Sequence, residues 1–408
     1  MSGGQLSAML ALFAAVATYT QPLEAKVPEF LPAEGEPACQ TEGGYAQDFG
    51  GRRTFLWRPA WLQAIAADPK RSRDVLQKAE TALDRGPYSV TDKPRSVPGS
   101  SRNDYASIGP YWWPDQDNES GLPYYRRDGE VNPERNGPQF DKNRLVSMGD
   151  DLEALSVAYF ITSDERFAQQ GAKLLKAWFL NPDTRMNPNM NFAQGIPGKV
   201  DGRAEGIIEV SDLSTIVESI GLLAPSTALS EPDHAGIRQW YAEFVQWMRA
   251  SENGKAASAK TNNHAVFYDF YLTHFSIFAG LESVATQTIE RFPTARLKVQ
   301  MDGDGRFPEE LERTRSWHYS NYLVGGAARL ATVAECAGYD LWNATLEDER
   351  SLVTAHTFLS KHSADLSDWP YPDRDHAAGA FEKMRNTFAR MDMMFADAKV
   401  SSQAIVLP

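Results

Sequence analysis

The chain has 408 residues, of which 42% are hydrophobic and 11% aromatic, and its formal net charge is -13. This length predicts either two domains or one large helical barrel or toroid. The acidic balance argues against nucleic acid and against an anionic membrane as partners, although an acidic substrate can still bind in a local basic cleft.

The first 25 residues have the pattern of a secretory signal peptide. Residues 9–17 form an apolar run too short to span a bilayer, and more polar residues and the small Ala25 follow. No Lys or Arg precedes this run, so a disordered or misassigned leader is the alternative. We expect an exported protein, periplasmic or secreted, with an irregular segment rich in Pro and Gly at residues 26–56.

The two cysteines, Cys39 and Cys336, lie far apart in the sequence. One disulfide between them suits an exported protein, but the sequence leaves this pairing open. CxxC and HExxH motifs are absent, and the DGDG of residues 302–305 is followed by Arg313 where a calcium loop needs Glu. We therefore expect a turn at this position, and neither a metal ion nor another cofactor.

From residue 57 to about residue 400 the sequence is a succession of helical patterns. Apolar residues recur at spacings of three and four, and polar loops with Gly and Pro separate roughly ten such segments. Strand patterns are scarce. We expect one mainly α domain at residues 57–400, an (α/α) toroid or incomplete α/α-barrel built from helical hairpins with long substrate-binding loops.

Two long loops interrupt the helices, at about residues 87–139 and 181–203. Loops of this length in a compact chain usually serve as lids or binding walls. Both loops mix aromatic rings, amides and arginines, a combination that stacks on sugar rings and binds hydroxyls and carboxylates. In the alternative interpretation, the two tryptophans only pack the first loop onto the core. The candidate binding residues are Tyr111, Trp112, Trp113, Asn191, Gln194 and Arg203.

The stretch KTNNHAVFYD, residues 260–269, places two amides and an imidazole in front of an aromatic helical pattern. Asn is a preferred N-cap residue, so Asn262 or Asn263 is expected to cap a helix that starts near His264. Capping explains one Asn. It leaves the other Asn and the imidazole as candidates for chemistry.

A second group of polar residues lies in FPEELERTRSWHYSNYLVGG, residues 307–326. If this segment is helical, Arg315, Tyr319 and Tyr322 share one face, and Arg313 joins them only from the preceding loop. His318 lies among them. The simpler interpretation is an exposed basic turn followed by a helix with packed tyrosine rings.

Amide, imidazole, guanidinium and phenol together suit the removal of a proton from a carbon next to a carboxylate. The charge that develops needs donors, and the reaction needs a base and an acid. A tyrosine has a reference pKa of about 10, and a neighbouring arginine can lower it by about 1–3 units. We therefore expect a tyrosinate base assisted by Arg313 or Arg315, and activity at neutral to alkaline pH.

The Asn263–His264 pair and LERTRSWHYSNY resemble the alginate lyase family of polysaccharide lyases, and so do YWWPD and MNPNMNFAQ in the two loops. The resemblance covers about residues 55–395 and implies an α/α toroid and metal-free β-elimination on a 1,4-linked polyuronate. It further implies that Asn263 neutralises the substrate carboxylate, that His264 assists or acts as a base, and that Arg313 and Tyr319 are catalytic. The Arg–Tyr spacing is one residue shorter than in the polymannuronate enzymes, so Arg315 remains a rival.

The polymer itself stays open, because mannuronate and glucuronate share configuration at the two reacting carbons, and the Trp- and Tyr-rich loops resemble the glucuronan-cleaving branch. Two other functions are alternatives: a non-catalytic toroid that binds acidic polysaccharide, and a glycoside hydrolase that uses an acidic pair such as Asp201 and Glu205. Around an acidic polysaccharide, we expect a positive groove and further binding roles on the second segment. The groove residues are Arg102, Arg126, Arg127, Lys199 and Arg203, and the further binding residues are Arg315, His318 and Tyr322.

Overall fold

The computed structural model describes residues 25–31, 39, 54–395 and 407. Apart from Ala25, the predicted signal peptide lies outside these residues. No helix within them is long and apolar enough to cross a bilayer.

The helices are α1 (Pro59–Ala67), α2 (Pro69–Ala82), α3 (Lys142–Thr162), α4 (Glu165–Leu175), α5 (Ser211–Leu223), α6 (Glu231–Ala250), α7 (Glu252–Ser258), α8 (Asn263–Phe278), α9 (Glu282–Phe292), α10 (Lys298–Gln300), α11 (Pro308–Leu311), α12 (Ser316–Glu335), α13 (Leu352–Ser363), α14 (Arg374–Ala377) and α15 (Phe381–Phe395).

Six short strands accompany the helices in the described residues. They form three two-stranded sheets, and the middle pair is parallel while the other two are antiparallel. The strands are β1 (Ala25–Lys26), β2 (Ala106–Ile108), β3 (Trp112–Trp113), β4 (Tyr125–Arg126), β5 (Phe192–Gly195) and β6 (Thr345–Leu346), which pair as β1–β6, β2–β5 and β3–β4.

The helices pack in chain order around the molecule. Helix α3 packs against α2, α4 and α5, helix α8 packs against α5, α6, α9 and α12, and α12 packs against α13 and α15. Adjacent helices joined by short loops thus form hairpins, with α3, α5, α8 and α12 in contact with neighbours on both sides. This arrangement is the α/α toroid that the sequence predicts.

Helix α8 is the most deeply buried of these elements. Every residue from Ala265 to Phe278 is buried, so the helix lacks the polar face of a surface helix. The side-chain oxygen of Asn262 accepts a hydrogen bond from the backbone N–H of His264, which confirms the predicted N-cap. On the neighbouring α12, a Cβ at Gly326 would lie 2.9 Å from the Phe267 ring. Gly326 therefore lets α12 approach α8 closely.

The residues that precede α1 are held by a buried carboxylate. Glu218, on α5, accepts hydrogen bonds from the backbone N–H groups of Phe55, Leu56 and Trp57, and from Nε2 of His274 at 2.7 Å. A carboxyl group can be buried without a large cost in free energy only when its oxygens accept hydrogen bonds in this way. The network fixes the start of the helical domain to α5 and α8.

Other contacts attach the residues before the helical domain to the end of α12. Cys39 and Cys336 form a disulfide, a pairing that the sequence left open. Strand β1 pairs with β6, and the backbone N–H of Phe30 donates to Gly338. Part of the segment that was predicted to be irregular therefore forms a β-strand, because Lys26 pairs with Thr345.

The two long loops are joined to each other by backbone and side-chain hydrogen bonds. Strand β2 of the first loop pairs with β5 of the second, and the Asp104 carboxylate accepts hydrogen bonds from the side-chain amides of Asn187 and Asn189. Within the first loop, β3 and β4 form a hairpin. The predicted turn at residues 302–305 is confirmed, since Asp302 accepts hydrogen bonds from the backbone of Asp304 and Arg306.

Candidate active site

Tyr319 lies in the first turns of α12 and meets the first loop. Its hydroxyl is 2.6 Å from the hydroxyl of Tyr111, and the Arg313 guanidinium carbon lies 3.7 Å from the centre of its ring. Arg313 comes from the turn between α11 and α12, as the sequence required if it was to join Tyr319. A phenol, a second phenol and a guanidinium are therefore in direct contact.

The two arginines of this turn have different partners. Arg313 stacks on Tyr319 and lies 3.3 Å from the Asp128 carboxylate, whereas Arg315 donates from Nε and Nη2 to Asp375 at 2.9 and 2.6 Å. Arg315 thus joins α12 to α14. Of the two candidates, Arg313 is the one whose guanidinium contacts the phenol.

The expectation that an arginine brings the Tyr319 pKa below its ordinary value is wrong. Burial raises this pKa, and so does the neighbouring Tyr111, while the charge of Arg313 lowers it. Burial is the largest effect because the side chain is only 8% exposed. Tyr319 therefore carries its proton at neutral pH.

Asn263 and His264 lie at the first turn of α8, next to α12. Asn263 is buried, and both its backbone N–H and its side-chain nitrogen donate to the carboxylate of Glu310 on α11. The second amide of the Asn-Asn pair thus has a structural partner that the sequence did not reveal. Burial lowers the pKa of the His264 imidazole to about 4, and the nearby Glu205 opposes this shift. His264 is therefore neutral and can accept a proton.

The charged residues that act on the His264 pKa extend from Lys260, before α8, to the end of the second loop. Glu205 accepts a hydrogen bond from Lys260 at 2.9 Å and lies 3.3 Å from Arg203. The Arg203 guanidinium in turn donates to the backbone oxygen of Gln194 and, at 2.7 Å, to its side-chain oxygen. These two cations lower the pKa of Glu205 to about 2, against the effect of burial.

Gln194 has an unusual backbone conformation. Its φ is +48°, in the left-handed region that favours glycine. The backbone N–H of Gln194 donates a hydrogen bond to the Ser107 hydroxyl at 2.8 Å, and the Arg203 guanidinium donates one to the Gln194 side-chain oxygen. Residues held in sparsely populated conformations cluster at functional sites, where the surrounding structure fixes them. The structure thus supports a specific position for this amide beside Arg203.

The two tryptophans of the first loop have different environments. The Trp113 indole donates to the backbone oxygen of Glu130, and Arg127 lies over its ring, so this side chain packs the loop onto itself. The Trp112 ring instead lies under Lys199 of the second loop, 4.8 Å from its Nζ. A Cβ at Gly109 would meet both Trp112 and Arg203, which places this ring beside the arginine.

Most cations of the predicted positive groove have acidic partners. Arg126 pairs with Asp128 at 2.6 Å, and Arg127 lies 3.2 Å from Glu130. Arg102 instead donates to the backbone oxygens of Thr91 and Lys93, within the first loop. Loop carboxylates therefore offset part of the positive charge expected for this groove, while Lys199 has an aromatic ring as its neighbour.

The remaining candidates are His318, Tyr322 and Asn191, and only the first two lie beside Tyr319 on α12. His318 and Tyr322 stack on each other on α12, and the His318 ring also contacts Tyr319. Burial lowers the pKa of His318 to about 4. The side-chain oxygen of Asn191 accepts a hydrogen bond from the Trp247 indole, which ties this residue to α6 and not to the phenols.

Glu205, one of the two carboxylates of the hydrolase alternative, does not suit the role of the acid. A glycoside hydrolase needs one carboxylic acid that keeps its proton. Glu205, with its pKa lowered to about 2 by Lys260 and Arg203, stays ionised. In the described part of the chain, no group of three or more His, Cys, Asp and Glu side chains is arranged to hold a metal ion.

Comparisons with known proteins agree on one family. A family model described as alginate lyase matches residues 89–369. The crystal structure of an alginate lyase from Bacteroides ovatus is similar, with a TM-score of 0.79 and 31% sequence identity over 86% of this chain and 94% of that one. Alginate lyase A1-III from Sphingomonas species A1 shares the fold, with a TM-score of 0.53 and 18% identity over 85% of this chain and 92% of that one. Among curated proteins, no sequence matches.

Proposed function

The chain belongs to the alginate lyase family and is a polysaccharide lyase, and on this premise we propose that it cleaves a β-1,4-linked polyuronate, alginate in the first place, by β-elimination. The observation that carries the proposal is the contact of Tyr319 with Arg313, whose charge also acts on the neutral His264. His264 and Asn263 lie at the start of α8, which packs against α12. Glucuronan is the second candidate, because the first loop is rich in Trp and Tyr.

The reaction removes the proton on C5 of the uronate and breaks the bond between C4 and O4. A C4–C5 double bond forms, and O4 takes up a proton as it leaves. Negative charge accumulates on the substrate carboxylate in the transition state, so donors that are already in place lower the barrier. We assign this charge stabilisation to Asn263 and Arg313.

The proton transfers require a group without a proton and a group that carries one. Because burial keeps Tyr319 protonated and His264 neutral, we assign the donation to O4 to the phenol and the removal of the C5 proton to the imidazole. The alternative is that substrate ionises Tyr319 and this one phenol performs both transfers. This alternative suits mannuronate and glucuronate, in which the proton and the leaving oxygen lie on the same side.

The pH dependence of kcat/KM separates these two assignments, since it reports the ionisation of the free enzyme. With His264 as base, the active form is the neutral imidazole, so activity is lost as pH falls through about 4 and is level through the neutral and alkaline range. A tyrosinate base instead gives a rate that keeps rising with pH, because the pKa of Tyr319 is raised. Initial rates at constant ionic strength measure the profile.

A panel of uronate polymers tests the proposed function itself. Polymannuronate, polyguluronate and glucuronan are each incubated with the protein, and ultraviolet absorbance follows the new double bond. Sizing of the products then shows whether cleavage occurs within the chain or at its end. Saturated products heavier by one water would show hydrolysis, and binding to a polymer without any product would show a non-catalytic toroid.

We also propose that the protein is exported. The signal peptide pattern of residues 1–25 supports this location, and so does the Cys39–Cys336 disulfide, because disulfides persist in oxidising compartments. The proposed substrate, an acidic polysaccharide, also lies outside the cytoplasm. Fractionation of cells that express the full chain, with mass spectrometry of the mature N-terminus, tests the location and the cleavage near Ala25.

A further inference from the structure

Glu310 is a buried carboxylate at the N-terminus of α8. Its side chain is 1% exposed, and it accepts hydrogen bonds from the backbone N–H of Asn263 at 2.7 Å and from the side-chain nitrogen at 2.8 and 3.0 Å. Backbone N–H groups at a helix N-terminus lack partners within the helix and attract anions. At this helix terminus the acceptor is therefore a carboxyl group of the protein itself.

The geometry of this contact determines which end of the amide faces Glu310. Both oxygens of Glu310 lie within hydrogen-bond distance of the Asn263 side-chain nitrogen, so this nitrogen points toward the carboxyl group and the amide oxygen points away. Burial raises the pKa of Glu310, and the hydrogen bonds from Asn263 oppose this shift. The amide nitrogen carries two hydrogens that point in different directions. One can donate to Glu310, and the other is then held in a fixed direction.

The segment around Asn263 has a second contact with α11. Glu309, next to Glu310, accepts a hydrogen bond from the hydroxyl of Thr261, two residues before Asn263. The charge of Glu310 also acts on Arg313, three residues farther along the chain. Helix α11 thus lies between the residues that we assign to charge stabilisation.

We propose that Glu310 is a positioning residue for the elimination: its carboxylate holds the Asn263 amide with one N–H inward, so that the other N–H meets the carboxylate of the substrate. The inference rests on the proposed function, in which Asn263 stabilises the charge of the substrate. Glu310 itself does not touch the substrate and is not a catalytic residue.

A double-mutant cycle tests whether Glu310 acts through Asn263. The four proteins are wild type, Glu310→Gln, Asn263→Ala and the double variant, and kcat and KM are measured on the preferred polymer. The glutamine side chain in Glu310→Gln would offer its own NH2 group to the amide and so favour the reversed orientation of Asn263. We expect Glu310→Gln to lower kcat about tenfold or more with a smaller change in KM, and to have little further effect when Asn263 is Ala. Equal losses in both backgrounds would overturn the proposal.

Two controls separate positioning from folding. Thermal unfolding of every variant shows whether it is folded, and Glu312→Gln removes the same charge from an exposed side chain two residues away. Glu312→Gln is expected to keep the wild-type kcat. Wild-type kcat in Glu310→Gln, with Asn263→Ala impaired, would also contradict the proposal.

A readout without turnover makes the inference independent of the polymer. In protein labelled with ¹⁵N on asparagine, the side-chain NH2 signals of Asn263 are identified by their loss in Asn263→Ala. They should shift in Glu310→Gln and stay in place in Glu312→Gln. If wild type cleaves no uronate polymer, the proposed function fails, whereas unshifted signals in Glu310→Gln show that the positioning contact fails.

Discussion

Replacement of Tyr319 by Phe is expected to lower kcat by roughly 10²–10⁴-fold, the usual contribution of a positioned acid or base. The change removes only the hydroxyl. Arg313 still has an aromatic ring to stack on, and the ring keeps its contact with His318. The double-bond assay measures kcat, and calorimetry with a uronate oligosaccharide measures affinity, which we expect to change little.

The matched control is Tyr339→Phe. The Tyr339 hydroxyl of the wild type also donates a hydrogen bond to a side chain, that of Glu290, but this contact lies on the exposed surface after α12. This variant should retain wild-type kinetics. Turnover in Tyr319→Phe close to that of wild type would exclude the phenol from both proton transfers and would leave His264 without its proposed partner.

Replacement of Arg313 by Lys is expected to lower kcat by about 10²–10³-fold, as the removal of a preorganised donor does in other enzymes. The planar guanidinium lies on the Tyr319 ring and beside Asp128, and an ammonium group reproduces neither the stacking nor the fork of donors. The loss should appear mainly in kcat, because the charge that Arg313 stabilises develops in the transition state.

Arg315→Lys provides the comparison within the same turn. Arg315 is already paired with Asp375, so its loss should affect the attachment of α14 more than the chemical step. We expect a smaller fall in kcat than in Arg313→Lys, together with a lower melting temperature. The reverse order of the two kcat values would make Arg315 the catalytic arginine.

The helical architecture follows from local sequence. The Asn262 cap and the apolar, aromatic run after it define the start of α8, and the toroid follows from the repetition of helical segments along the chain. The sequence also placed Arg313 on the segment before the helix, as observed, but Arg315, which was expected to share a helical face with Tyr319 and Tyr322, is the N-cap residue outside α12. These features depend on neighbours within a few residues.

The parts that the sequence did not reveal depend on distant neighbours. Glu310 is 47 residues from Asn263, and its neighbours Glu309 and Glu312 look equally suited for a role until α11 is placed against α8. The Tyr319 pKa likewise depends on burial by the first loop, which outweighs the nearby arginine. Strands of two to four residues, such as β3 and β5, are too short to show an alternating pattern.

The parallel pairing of β2 with β5 has a consequence for engineering. Backbone hydrogen bonds couple the two loops, so a change in the length of one alters the register of the other. Exchange of a single loop with a relative should therefore disturb Gln194 and Trp112 together, even though only one of them is transplanted. Chimeras intended to change polymer preference need both segments from the same donor.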